Sequence, residues 1–295
     1  MTVSVVVPTR GRPEHARECV ASILDCDGEF TVTVVDQSDD KLTRDAISSL
    51  GDPRVTHLLT DTRGAANARN VGAAATDGEL IAFTDDDCRV DRGWVSELQR
   101  AFTADSVGMV FGGVVSGPTD DPTALAAEFL PTAVTTYSSL PPVSEPWGIS
   151  ASVAIRRSAF ERVAGFDTML GPGAPINTGG EDSDMFIRVL AAGYQVRATD
   201  ATKVTHLGFR SGDDAAALFR GYATALGAVF AKHIRLRTRP GREQLPKWLF
   251  HFSLEAAGNI LKRRRPTGAA FVIGLVKGAA KGARLPVDRS TGKFA

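Results

Sequence analysis

Leu80-Ile81-Ala82-Phe83-Thr84-Asp85-Asp86-Asp87 is an apolar run that ends abruptly in three consecutive carboxylates. A short apolar run bounded by polar residues is the pattern of a buried strand. Three like charges at its end repel, and burying ionised groups is costly unless something pairs with them. A hard divalent cation held through oxygen, Mg2+ or Mn2+, is one partner for such a cluster. A solvated acidic turn, as at Asp39-Asp40 and Asp120-Asp121, is the competing assignment.

Outward from this run the chain alternates. Further strand-like runs occur at residues 3–8, 31–36, 55–59 and 109–115, with helical patterns at 13–24, 41–50, 65–75 and 94–102 between them. Such alternation predicts βαβ units, an α/β fold and a mostly parallel sheet with helices on both faces. Ligands then bind beyond the carboxyl ends of the strands. Those ends carry Pro8-Thr9-Arg10-Gly11-Arg12, Asp36 and the acidic triplet. No G-x-G-x-x-G follows the first strand, and neither a P-loop nor a G-x-S-x-G elbow is present, which weighs against dinucleotide, P-loop and serine-hydrolase chemistry.

Residues 117–147 form a Pro- and Thr-rich excursion, followed by a strand at 151–156, a helix at 158–163 and a glycine-rich loop at 165–180. Glu181 and Asp182 open an amphipathic helix, where carboxylates are favoured by the helix dipole. A strand at 203–205 then carries His206. Beyond residue 213 three helices are expected, one running to about 236 and the others at 248–261 and 271–283.

The formal net charge is zero, yet residues 1–231 hold 19 Lys/Arg against 31 Asp/Glu, and residues 232–295 hold 15 against 3. The basic tail should meet something anionic, whether the acidic body, an anionic membrane or nucleic acid. Three cysteines without paired spacing argue against a disulfide framework or a zinc site. The N-terminus lacks a signal-peptide pattern, and no apolar stretch approaches the roughly 20 residues of a membrane span. A cytoplasmic protein, peripheral at most on the inner face of the cell membrane, is the expectation.

Taken in order, Pro8-Thr9-Arg10, Asp36, Arg69-Asn70, Asp85-Asp86-Asp87, Gly180-Glu181-Asp182 and His206 resemble the family 2 inverting glycosyltransferases of the GT-A fold, over about residues 2–210. The resemblance implies a Rossmann-like GT-A domain at 1–212, with a nucleotide-sugar-binding half (1–115) and an acceptor half (116–212); beyond it the family pattern fades, and charge and periodicity predict a basic helical extension at 213–295. It implies a hexosyltransferase-type enzyme that moves a sugar from a UDP-, dTDP- or GDP-sugar to a glycan or lipid-linked hydroxyl, with no nucleic-acid partner. Pro8, Thr9, Arg10, Asp36, Arg69, Asp85 and Asp86 would contact the donor, Asp36 through its base. Asp85, Asp87 and His206 would hold Mn2+ or Mg2+. Asp182 matches the catalytic base, Glu181 stands beside it as acceptor binder or helper, and Trp147 could stack on the acceptor sugar or belong to the core. The rivals are a sugar-1-phosphate nucleotidyltransferase, whose glycine-rich loop is too short here, and a non-catalytic glycan-binding scaffold.

Overall fold

In the computed structural model the apolar runs become strands of one mixed sheet; residues 1–121, 128–143, 145, 147–176, 179–209, 212–263 and 267–295 are described. The order is β1 (Val3–Thr9), α1 (Pro13–Leu24), β2 (Phe30–Asp36), α2 (Leu42–Ser48), β3 (Val55–Leu59), α3 (Ala65–Ala74), β4 (Leu80–Phe83) and β5 (Cys88–Val90). Then come α4 (Trp94–Arg100), β6 (Val107–Ser116), β7 (Thr135–Tyr137), β8 (Val153–Arg156), α5 (Arg157–Arg162), α6 (Glu181–Ala191) and β9 (Gln195–His206). Three helices, α7 (Gly212–Arg235), α8 (Arg239–Leu261) and α9 (Thr267–Arg284), precede a small hairpin of β10 (Val287–Asp288) and β11 (Lys293–Phe294).

The sheet runs β3-β2-β1-β4-β8-β6-β9-β5, with β7 beside β9 and helices on both sides. Strands β3, β2, β1 and β4 are parallel, β8 is antiparallel to both its neighbours, and β6 and β9 are parallel again. Every residue of β1 and β4 is buried, as expected for strands covered on both faces. The chain moves from β1 out to β2 and β3, then returns to β4 on the other side of β1. Strand order therefore reverses beside β1, and the ends of β1 and β4 border the crevice that takes ligands in such sheets.

Three elements depart from expectation. β5 is too short to show a pattern, yet it pairs antiparallel with β9 and places Cys88 opposite His206. β9 begins at Gln195 rather than 203, because register shifts against β6 break its alternation. α8 begins at Arg239 and runs through Pro246; buried Gln244 and Trp248 lie on either side of that proline, joined by a 3.2 Å hydrogen bond from Trp248 Nε1 to Gln244 Oε1. The basic run 262–265 and the excursion 117–147 fall partly outside the described residues.

The C-terminal helices share a second core with the body, in which Phe230, Trp248 and Leu275 pack with Leu170, Ile176 and Ile187. α9 presents Gly274, Gly278 and Gly282 along one side to α7. A Cβ at Gly278 would overlap the Thr224 carbonyl oxygen, and one at Gly282 would lie 2.6 Å from that of Ala228.

The polar part of this seam is a buried ion cluster. Lys232, wholly buried, sets its Nζ 2.5 Å from Asp167 Oδ2 and 2.6 Å from Asp184 Oδ1. Asp184 Oδ2 also accepts from Arg188 Nε at 2.7 Å, and His233 Nε2 lies 3.1 Å from Asp184 Oδ1. The backbone N–H of Phe294 donates to Asp167 Oδ2 at 2.8 Å, tying the hairpin to the same point. Burial would raise the Asp184 pKa, but Arg188, Lys232 and His233 together hold it well below the usual carboxylate range. Part of the tail's positive charge is thus met by the acidic body.

Candidate active site

The register of the sheet builds the site. Val6 lies opposite Phe83, so three residues further along Thr9 comes beside Asp86, and Thr9 Oγ1 donates to Asp86 Oδ2 at 2.8 Å. Arg12 Nη1 lies 3.1 Å from both Asp86 Oδ1 and Asp87 Oδ2. Burial lifts the Asp86 carboxyl to about 6, against the opposing pull of Thr9 and Arg12.

On the other side, the β5–β9 pairing delivers His206. The Leu207 N–H donates to the Asp87 carbonyl at 2.8 Å, and His206 Nε2 stands 3.4 Å from Asp87 Oδ1. Gly208 closes over this pair: a Cβ there would lie 2.5 Å from Asp87 Oδ2 and 2.8 Å from His206 Cε1.

Arg69 links the triplet to α6. Its buried guanidinium donates from Nη2 to Asp85 Oδ1 at 2.6 Å and from Nη1 to Glu181 Oε1 at 3.4 Å, and it stands over the Phe166 ring. Two acidic motifs far apart in sequence therefore share one cation. Gly180, the N-cap of α6, has φ +90, a conformation that favours glycine and turns Glu181 and Asp182 toward the site. Burial raises the pKa of both carboxyls. The neighbouring Asp182 adds to the effect on Glu181, while Arg69 and Ser150 oppose it at Asp182. Glu181 Oε2 and Asp182 Oδ1 are buried without a hydrogen-bond partner among the described residues. Buried polar atoms of this kind call for a ligand or water.

A family model described as glycosyl transferase family 2 matches residues 4–164. The chain belongs to glycosyl transferase family 2. A pre-mycofactocin glycosyltransferase of Mycobacterium tuberculosis is 29% identical over 209 residues, which is 69% of this chain and 42% of that protein. A glucosyl-dolichyl phosphate glucuronosyltransferase of Haloferax volcanii is 26% identical over 70% of this chain and 69% of its own length. Among solved structures, a mannosyltransferase from Pyrobaculum calidifontis, in complex with GDP-Man and Mn2+, has TM-score 0.62 at 19% identity, covering 95% of this chain and 86% of that one. This likeness carries the GT-A fold to the family 2 chain.

Several expected residues are placed differently from what the sequence implied. Asp36 is wholly buried, with Oδ1 accepting the Ser38 N–H at 2.9 Å and Oδ2 lying 2.9 Å from His57 Nε2. Its carboxylate shapes the loop after β2 and has no exposed oxygen to offer a nucleobase. Arg10 follows buried Pro8 and Thr9 but points outward, 3.9 Å from Asp39, and it is Arg12 that reaches the acids. Trp147 packs against Phe186, Phe230 and Trp248 with ring centroids 5.6, 6.2 and 6.0 Å away. Its ring belongs to the seam between body and helices and not to a free acceptor platform. Asn70 braces the loop after α5, accepting from Phe166 N at 2.8 Å and donating to its carbonyl at 3.0 Å.

The residues near His206 fit a divalent cation. Asp87, Cys88 and His206 each offer a ligand atom within 4.8 Å of the others. Burial pushes the Cys88 thiol well up, which makes it a poor thiolate donor and leaves a carboxylate and an imidazole. That pair suits Mn2+ better than an all-oxygen set would. Asp85 is instead engaged by Arg69. Arg12 and Gly208, absent from the expected set, complete the site. Arg12 lay within the strand-1 motif, whereas Gly208 becomes meaningful only through the pairing of β5 with β9.

Proposed function

We propose that the protein is an inverting glycosyltransferase that moves a sugar from a nucleotide-sugar donor to a hydroxyl acceptor, with Asp182 as general base. The Arg69 bridge carries this reading, because it sets the acids at the end of β4 and the Glu181-Asp182 pair in one crevice. Thr9, Asp85 and Asp86 line the donor side with Arg69 and, at the rim, Arg10. Asp87 and His206 would hold the divalent cation, which when bound supplies Lewis-acid neutralisation of the departing diphosphate.

The acceptor hydroxyl attacks the anomeric carbon on the face opposite the diphosphate. Its proton passes to the unpartnered Asp182 Oδ1, the sugar–oxygen bond forms, and the bond to the nucleoside diphosphate breaks. The raised Asp182 pKa makes this carboxylate a stronger base than a solvated one. Glu181, held by Arg69, positions the helix mouth and binds acceptor hydroxyls. The proposed donor is a UDP-, dTDP- or GDP-sugar and the proposed acceptor a glycan or lipid-linked hydroxyl in cell-surface synthesis; the neighbour bound to GDP-Man supports a nucleotide sugar.

The test is release of nucleoside diphosphate from a panel of nucleotide sugars in the presence of Mn2+, repeated with Asp182→Asn. The variant should bind donor almost normally and turn over at least about a hundredfold more slowly. Lost donor affinity with turnover preserved would place Asp182 in the donor site and overturn its role as base.

A further inference from the structure

Helix α8 leaves an apolar stripe uncovered. Phe250, Leu254 and Leu261 are 68%, 56% and 84% exposed, and their spacing sets them along one side of the helix together with exposed Ala257. Ile260 lies beside them, and Ile273 and Val276 of α9 add further exposed apolar surface. These are not the aromatic and leucine positions that pack the bundle, since Trp248, Phe252, Phe271 and Leu275 face one another and the body. Large apolar side chains gathered in one stripe and rimmed by polar residues mark an interaction surface.

The charge around the stripe points to its partner. Residues 239–284 contain ten Lys/Arg and only two acids, Glu243 and Glu255. Exposed Lys262 and Arg263 follow directly on Leu261, Lys247 precedes Phe250, and α9 carries Lys277, Lys281 and Arg284 with no acid at all. An isologous contact with a second copy would bring these cations against themselves, which like-charge repulsion opposes. No helix among the described residues is long and apolar enough to cross a membrane. An apolar stripe flanked by Lys and Arg on such a helix matches an interfacial helix lying in the plane of an anionic bilayer.

We propose that α8, with the adjoining end of α9, docks the protein on an anionic membrane surface through Phe250, Leu254 and Leu261, with Lys247, Lys262 and Arg263 at the level of the lipid phosphates. The proposal goes beyond sugar transfer and does not depend on it, because it stands on this surface alone.

The experiment is co-sedimentation of the full chain with phosphatidylcholine vesicles, with and without phosphatidylglycerol. Binding is expected only to the vesicles containing phosphatidylglycerol, with release by added salt. Phe250→Ser combined with Leu254→Ser should reduce binding at least about tenfold. The melting temperature should not change, since both side chains are exposed. Lys262→Glu with Arg263→Glu should reduce vesicle binding similarly without touching the apolar stripe. Diphosphate release without vesicles is measured in parallel, so that failure of the docking and failure of the catalytic assignment are told apart. Equal binding to both vesicle types, binding to neither, or undiminished binding by the double serine variant would overturn the proposal. A concentration-dependent dimer abolished by the same serine substitutions would also overturn it, and would assign the face to a second copy.

Discussion

Lys232→Met keeps most of the shape of a wholly buried side chain and removes the ammonium that Asp167 and Asp184 both face, at 2.5 and 2.6 Å. Asp184 keeps Arg188 and His233, and Asp167 keeps the Phe294 N–H, but both lose the one cation they share. Removing one partner from a buried ionic set costs about 3–5 kcal/mol. For 295 residues, an unfolding entropy of about 2.1 cal/mol/K per residue turns that loss into a fall in melting temperature of about 5–8 °C. Adding Asp167→Asn neutralises one stranded carboxylate and leaves an oxygen for the Phe294 N–H. The double variant should therefore recover at least about 1 kcal/mol relative to the sum of the singles. The depressed Asp184 contributes stability that is complete above the unfolded value of about 3.9 and is lost as pH falls toward its folded value. The deficit of Lys232→Met should hence be full at neutral pH and narrow below about pH 4. Chemical denaturation of the four proteins across pH measures all of this. A cost below about 1 kcal/mol, or additive single effects, would refute the assignment of Lys232 as the charge that holds the two aspartates.

Asp87→Ala should abolish Mn2+-dependent binding of nucleoside diphosphate with the fold intact, while Asp86→Ala, whose side chain faces Thr9 and Arg12, should only weaken it; calorimetric titration separates the two, and equal loss would reject a site on Asp87. Gly208→Ala inserts a methyl 2.5 Å from Asp87 Oδ2 and 2.8 Å from His206 Cε1. Its Mn2+ affinity should fall about 10–100-fold, as for other disturbances of ligand orientation. Unchanged affinity would mean that Asp87 and His206 do not share an ion.

The parallel half of the sheet was legible because β1 and β4 are apolar runs, and the placing of Thr9 and of the acids after β4 at one edge follows from strand direction alone. Glu181 and Asp182 were legible through the glycines before them and the amphipathic helix after. The pairing of Asp87 with His206 was open only to resemblance, since it is made by β5, a strand too short for any period. Arg12 was hidden by its neighbour Arg10; strand and loop geometry, not residue type, decides which arginine turns inward. The surroundings of Trp147 and Lys232 were not legible for a shared reason. A tryptophan beside a site and a lysine in a basic tail look exposed until their partners, Phe186, Phe230 and Trp248 in one case and Asp167 and Asp184 in the other, arrive from distant segments.

The bare side of α9 reaches further than the seam it forms. At 274, 278 and 282 glycine gives α9 no rotamers by which to adjust its contact with α7, and sliding it by one residue would drive Leu275 or an alanine into backbone. The contact behaves as a key cut for one position. Because the chain passes directly from α9 into the terminal hairpin, that position also sets where the Phe294 N–H meets Asp167. A close approach of two helix backbones thus acts as the ruler by which the last residues of this sequence are measured against the loop that carries Asp167.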